Sequence, residues 1–335
     1  MPARAATSWA RCKRVVTLAP YMGADGCKDG RVSTHPRILL MDTASLYYRA
    51  FFGIPDSLKA PDGTVVNALR GLLDFVATLK TAYEPDIIVA CWDDAWRPSW
   101  RVDLMPTYKT HRLADPGGDA EDTPDLLSPQ VPLIAEALDL VGIPVVGAPD
   151  CEADDVIGTI AQLWPGPVDV VTGDRDLFQL VDDSRGVRIL YTARGVNNLD
   201  KVDNAWIRTK YGIEGSQYVD FAVMRGDPSD GIPGVAGIGE KTAAALIASY
   251  GDLAGIQAAA ADPDSAIRPK VRESLLSSAD YIEAAVKVVT VRPDACELGD
   301  YAAAPLTDDQ KAVLEKFGEQ WGLGGVTARL IKALV

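Results

Sequence analysis

Asp86-Ile87-Ile88-Val89-Ala90-Cys91-Trp92-Asp93-Asp94 is the stretch whose reading decides the fold. An unbroken apolar run closed by acids reads as a strand buried on both faces. Working outward, the same signature recurs. Ile38-Leu39-Leu40-Met41 ends on Asp42, and Asp169-Val170-Val171-Thr172 ends on Gly173-Asp174. Gly142-Ile143-Pro144-Val145-Val146 and Val187-Arg188-Ile189-Leu190 are two more candidate strands. Helical patterns at about 65–81, 129–141 and 153–163 alternate with them. Continuous apolar strands between helices predict an α/β fold with a mostly parallel sheet flanked by helices.

The remainder divides around this core. Residues 1–35 hold Arg4, Arg11, Lys13 and Arg14 and match nothing that follows. Val15 to Met22 is too short, and too broken by Pro20, for the apolar region of a signal peptide. A disordered extension is expected there, or a start site called too early, with Val32 as the initiator. Residues 36–204 form the expected core. Within it, a segment of about 95–130 fits neither helix nor strand, and so long an insertion is usually functional or mobile. It opens with Arg97, Trp100, Arg101, Tyr108, Lys109, His111 and Arg112, then turns acidic and rich in Pro and Gly. Residues 205–335 read as helices separated by Gly and Pro, a second, all-helical domain.

Composition sets the broad class. The 335 residues are 47% hydrophobic and 24% charged, as in an ordinary globular enzyme. No apolar run reaches the roughly 18 residues of a membrane span. Cys12, Cys27, Cys91, Cys151 and Cys296 are odd in number and contain no CxxC, so reduced thiols are expected rather than a disulfide framework or zinc ribbon. The net charge of -14 at first argues against nucleic acid, whose binders usually carry a basic footprint.

The acids themselves resolve that conflict. Asp42, Asp93 and Asp174 each stand at the carboxyl end of a predicted strand, where open α/β sheets build their sites. One such Asp is ordinarily a turn residue or helix cap. Glu152-Ala153-Asp154-Asp155 adds three acids at a helix start, where the dipole alone accounts for one or two. Asp174-Arg175-Asp176 adds another pair. Asp227 and Asp230 make a third in a Pro- and Gly-rich loop, where turn formation is an equal explanation. Nine carboxylates in one pocket would raise each other's pKa and destabilise the fold unless hard cations joined them. The motifs contain no His or Cys, which points to magnesium or manganese rather than zinc. Two such ions suit phosphodiester hydrolysis and require no protein nucleophile.

Two further motifs face phosphate. Gly234-Val235-Ala236-Gly237-Ile238-Gly239-Glu240-Lys241-Thr242 has neither P-loop spacing nor a preceding strand. Between two helices it looks like the hairpin of a helix-hairpin-helix element, where glycines and a helix N-terminus contact a backbone without reading sequence. Its plainer reading is a tight turn between helices. Tyr108 with Arg101, Lys109 and Arg112 combines a stacking ring with cations, the means of gripping a single strand. Standing alone, that cluster would be a solvated charged loop.

Together these motifs resemble the bacterial 5′–3′ exonuclease and flap endonuclease family, found fused to some DNA polymerases and also alone. The resemblance runs from about Ile38 to the end of the helical domain. It rests on Leu40-Met41-Asp42 through Phe52, Tyr108-Lys109-Thr110-His111-Arg112, Glu152-Ala153-Asp154-Asp155-Val156-Ile157-Gly158, Thr172-Gly173-Asp174-Arg175-Asp176 and Gly226 through Gly239. It implies a PIN-like core, a helical arch and a C-terminal helix-hairpin-helix domain. It implies one metal on Asp42, Asp93, Glu152 and Asp154, with Asp155 as a further ligand, and another on Asp174, Asp176, Asp227 and Asp230. Lys109 and Arg112 fall where the family steers phosphate, and Tyr108 where it stacks a base. The hairpin of Gly234, Gly237, Gly239 and Lys241 would bind DNA and hold potassium on its carbonyls. The implied partners are DNA with 5′ ends, flaps or RNA primers, and a polymerase, ligase or sliding clamp. A cytoplasmic, nucleoid-associated monomer without membrane contact is expected. His111 stands where members often have Asn, the 115–125 stretch is acidic, and no polymerase domain follows, so a stand-alone enzyme is expected. A PIN-type ribonuclease and a non-catalytic branched-DNA binder are the alternatives.

Overall fold

A computed structural model describes residues 35–302 and 305–335. The expected N-terminal extension, with Cys12, Cys27 and the alternative start at Val32, lies outside the described residues.

In chain order the first domain holds β1 (Ile38–Asp42), α1 (Thr43–Gly53), α2 (Asn67–Tyr83), β2 (Ile87–Cys91), α3 (Ser99–Leu104), α4 (Gln130–Leu140), β3 (Val145–Val146), α5 (Ala153–Leu163), β4 (Val168–Thr172), β5 (Val187–Tyr191) and β6 (Asp200–Val202). Then follow α6 (Asn204–Tyr211), α7 (Tyr218–Arg225), α8 (Glu240–Tyr250), α9 (Leu253–Ala261), α10 (Pro269–Ser277), α11 (Ala279–Val289), α12 (Asp308–Gln320) and α13 (Gly325–Leu334).

The strands form one sheet in the order β3-β2-β1-β4-β5-β6. All neighbours run parallel except β5 and β6. Every residue of β1, β2 and β4 is buried, as two covered faces require. The chain builds outward from β1 through β2 to β3, then returns to place β4 on β1's other side. That reversal opens a crevice at the carboxyl ends of β1 and β4, the place where α/β sheets put their ligands.

Each face has its own core. On one, Leu39, Met41, Ile88 and Ala90 pack with α2 and α4. On the other, Leu40, Val89 and Val170 pack with Val156, Ile157 and Ile160 of α5. Phe178, in a 3-10 turn after β4, joins this face to the helical domain. Its ring centroid lies 5.1 Å from Tyr191, 5.6 Å from Trp206 and 5.3 Å from Tyr218.

Two expectations need correction. The helices after residue 205 do not form one body. Leu306, Leu314, Phe317, Val326 and Leu330 return to the first domain and close its core beside α2 and α4, and Arg329 pairs with Asp74 of α2 at 2.5 Å. Apolar periodicity shows that a helix has a buried face but not which surface covers it. The 95–130 segment, expected as a helical arch, contains only α3 and a 3-10 turn at Thr110–Arg112. Its acidic half is a short loop closed by a bridge between Leu113 and Glu121.

Candidate active site

The crevice is a cleft of about 1110 Å³ lined by Asp42, Asp93, Glu152, Asp154, Asp174 and Asp227, with Lys109, Arg112, Arg49 and Arg175 among them. Each acid is placed by local structure. Asp42 ends β1 and caps α1: one oxygen accepts from the Ser45 amide at 3.1 Å and the other from the Thr172 hydroxyl at 2.7 Å. Asp93 follows β2 and accepts from the Ala153 amide at 2.7 Å, which ties it to the start of α5. Asp174 receives the Asp176 amide at 2.8 Å, while its own amide donates to Thr172 Oγ1. Asp227 accepts from the Ser229 amide and hydroxyl and from Arg225 at 3.2 Å. Asp230 pairs with Arg112 at 2.9 Å, and its carbonyl accepts from the Lys109 amide.

Burial and mutual repulsion hold Asp42, Asp93, Glu152, Asp154, Asp174 and Asp176 toward their protonated forms. Asp42 is pushed up to about 7, by burial first and then by Asp93. Burial, then Asp174 and Asp42, raises Asp154 well above the carboxylate range. Asp176 is raised well above it too, by burial and then by Asp174, Asp230 and Asp227. Asp93, Glu152 and Asp174 rise in the same direction, again chiefly through burial. One Asp176 oxygen is buried without a hydrogen-bond partner, an arrangement that costs free energy unless something binds it.

The converging acids offer an all-oxygen donor set, which suits a hard divalent ion. Among the described residues no three His, Cys, Asp or Glu side chains draw close enough to hold an ion unaided. The acids line an open cleft instead, which fits an ion that keeps part of its water shell.

Three sequence expectations are overturned. Asp155 is fully buried, and both its oxygens are engaged by the Arg101 guanidinium and by the Glu152 and Arg292 amides, so none faces the cleft. Arg101 is only 2% exposed and cannot reach DNA. Tyr108 is 3% exposed, with its hydroxyl donating to Glu152 at 2.8 Å, and presents no ring face to a base. Arg101 and Tyr108 are expected at the surface because charge and aromaticity in an irregular segment suggest solvent, and Asp155 is expected as an ion ligand because it stands beside Asp154 at an acidic helix start. Lys109 and Arg112 do reach the cleft. Burial, the largest single influence, opposes the Lys109 charge, but Glu152 at 2.8 Å together with Tyr108 and Asp230 outweighs it and raises the ammonium well above its ordinary range.

The cleft has a further wall on α1. Ser45, Tyr48, Arg49 and Phe52 line the wall at helical spacing on α1, a periodicity visible in the sequence once the helix is known. Arg49 Nε is buried without a partner. Arg175 lies between the two acids of its own motif and reaches Asp227 at 3.4 Å.

The glycine hairpin does join two helices, α7 and α8. Gly234 and Gly237 have φ of 75° and 76°. The Gly234 amide donates to Tyr281 Oη at 2.9 Å, and that hydroxyl donates to the Val223 carbonyl, so α11 pins the hairpin to α7. Gly239 caps α8, and Lys241 is exposed in its first turn. Between hairpin and cleft, Gly231 has φ 72°, and a Cβ there would stand 2.4 Å from the Thr107 carbonyl. Gly231→Ala is expected to cost about 1–3 kcal/mol of strain and to separate Lys109 from Asp230. Thermal melting and nuclease assays check this; wild-type values in both would show that the contact yields freely.

Residues 37–212 match the family described as 5′–3′ exonuclease, N-terminal resolvase-like domain, and residues 213–310 the 5′–3′ exonuclease, C-terminal SAM fold. The chain belongs to the 5′–3′ exonuclease family. A 5′–3′ exonuclease of Streptomyces coelicolor is 55% identical over 299 residues, covering 88% of this chain and 99% of the relative. Two solved structures share the fold. The T5 D15 protein co-crystallised with metal ions has a TM-score of 0.61 at 17% identity, over 89% of this chain and 100% of its own. The catalytic core of Rad2 in complex with DNA substrate has a TM-score of 0.55 at 16% identity, over 90% and 93%. The sheet, its flanking helices and the helical domain are thus those of the 5′–3′ exonucleases, and the chain is a nuclease of that family.

Proposed function

We propose that the cleft hydrolyses phosphodiester bonds of DNA at 5′ ends and 5′ flaps, serving primer removal and repair, with two Mg²⁺ or Mn²⁺ ions. The observation that carries this reading is the convergence of buried and half-buried acids from the ends of β1, β2 and β4, the start of α5 and the 227–230 loop. Asp42, Asp93, Glu152 and Asp154 would hold one ion, and Asp174, Asp176, Asp227 and Asp230 the other. Bound there, the ions would activate water and offset charge on the attacking and leaving oxygens. Lys109 and Arg112 bring positive charge to the same wall, where a phosphate would meet it. Gly234 through Lys241 would contact the duplex backbone through the hairpin and the N-terminus of α8, with potassium on its carbonyls. The enzyme would act as a monomer in the nucleoid, beside a polymerase, ligase or sliding clamp.

Product mapping on a 5′-flap duplex tests this. With Mn²⁺, cuts near the junction and short 5′ products are expected, and none with chelator. Inert flap DNA alongside readily cleaved single-stranded RNA would reject the assignment.

A further inference from the structure

Arg101, a cation in a segment with the composition of a surface loop, is buried. Arg101 lies in α3, yet four of its N–H donors are used internally. Nη1 meets Asp155 Oδ2 at 2.7 Å and Glu152 Oε2 at 3.2 Å; Nη2 meets Asp155 Oδ1 at 2.7 Å; Nε meets the Val288 carbonyl of α11 at 3.0 Å. Its guanidinium also lies 4.4 Å from the Trp100 ring centre. Asp155 completes the joint by accepting the Glu152 amide at 3.1 Å and the Arg292 amide at 3.0 Å.

Three parts of the molecule meet at this side chain: the 95–130 segment through α3, the acid cluster through α5, and the helical domain through α11. Glu152 is the group whose position depends on it. One Glu152 oxygen accepts from both Arg101 and the Tyr108 hydroxyl, which turns the other toward Lys109 and the cleft. A bidentate, planar fork fixes orientation as well as charge, which a lysine cannot do.

We propose that Arg101 is a positioning residue that sets the orientation of Glu152 toward the cleft through a buried Arg101–Asp155–Glu152 joint. This rests on the reading of Glu152 as an ion ligand. Groups that orient a metal ligand typically change ion affinity or activity by roughly 10–100-fold when altered.

The test measures Mn²⁺ binding by titration calorimetry and flap-DNA binding in chelator for Arg101→Lys, Tyr108→Phe and Glu152→Gln. Arg101→Lys is expected to weaken Mn²⁺ roughly 10–100-fold and leave DNA binding unchanged. Tyr108→Phe, which keeps the ring and removes only one hold on Glu152, is expected to weaken it less. A merely structural role would lower the melting temperature without moving ion affinity, and that result would overturn the proposal. So would lost DNA binding with wild-type Mn²⁺ affinity, which would make Arg101 a substrate contact. If Arg101→Lys does not fold, Tyr108→Phe decides, and unchanged Mn²⁺ affinity there rejects the joint. Unchanged affinity in Glu152→Gln would instead remove Glu152 from the ion site, a failure of the underlying reading distinct from the others.

Discussion

Asp174→Asn is expected to lower the cleavage rate by on the order of 10⁴-fold, the scale seen when a member of a cooperating catalytic set is removed, while leaving DNA binding intact. The asparagine keeps the shape and still accepts from the Asp176 amide at 2.8 Å, so the turn after β4 should survive. What is lost is one negative charge in the middle of the acids. Asp174 is the point at which the two groups of carboxylates meet: its neighbours are Asp154 on one side and Asp230 and Asp227 on the other. It makes no contact that a phosphate would need. Single-turnover cleavage and gel-shift measurements on the same flap duplex separate the two effects. Full activity in the variant would sink the assignment of this cluster to metal.

A divalent ion is expected to stabilise the fold, and more at pH 8 than at pH 5. The sign follows from Asp42, whose pKa rises from the ordinary 3.8 to about 7 on folding. Between about pH 4 and pH 7 the folded protein keeps a proton that the unfolded chain has released. Stability without ions therefore falls as pH rises through that window, and the deficit is complete above it. Asp154 and Asp176 are raised in the same direction. A cation that binds only the folded, deprotonated cleft reverses the loss. At a hundredfold excess over its dissociation constant it contributes about 2.7 kcal/mol, or about 5–10 °C in Tm for a domain of this order of size. Melting curves at both pH values, with Mn²⁺ and with chelator, measure it. An unchanged Tm at pH 8 with saturating Mn²⁺ would mean that the acids do not share an ion.

The same cluster explains how so acidic a chain can address a phosphate. Much of the net charge of -14 is concentrated in groups that the fold buries against one another. Cations bound there would offset that charge where a phosphate has to approach.

The sequence by itself determined the local facts. Unbroken apolar runs such as Ile87–Cys91 specified strands covered on both faces, because a half-exposed strand would alternate. The acids that close those runs specified where a site would lie, because parallel strands all present their carboxyl ends to one edge. The glycines of 234–239 specified the turn between α7 and α8, because the backbone there runs through positive φ. Tertiary structure alone decided the order β3-β2-β1-β4-β5-β6, which puts β1 beside both β2 and β4 and so makes neighbours of Asp42, Asp93 and Asp174. It also decided which charges are solvated. Arg101 and Tyr108 belong to a stretch with the composition of a surface loop, and Asp155 to an acidic helix start, yet pairing across 44 to 54 positions of sequence buries all three. A buried ion pair exists only where its partner already waits in space, and no local pattern records that.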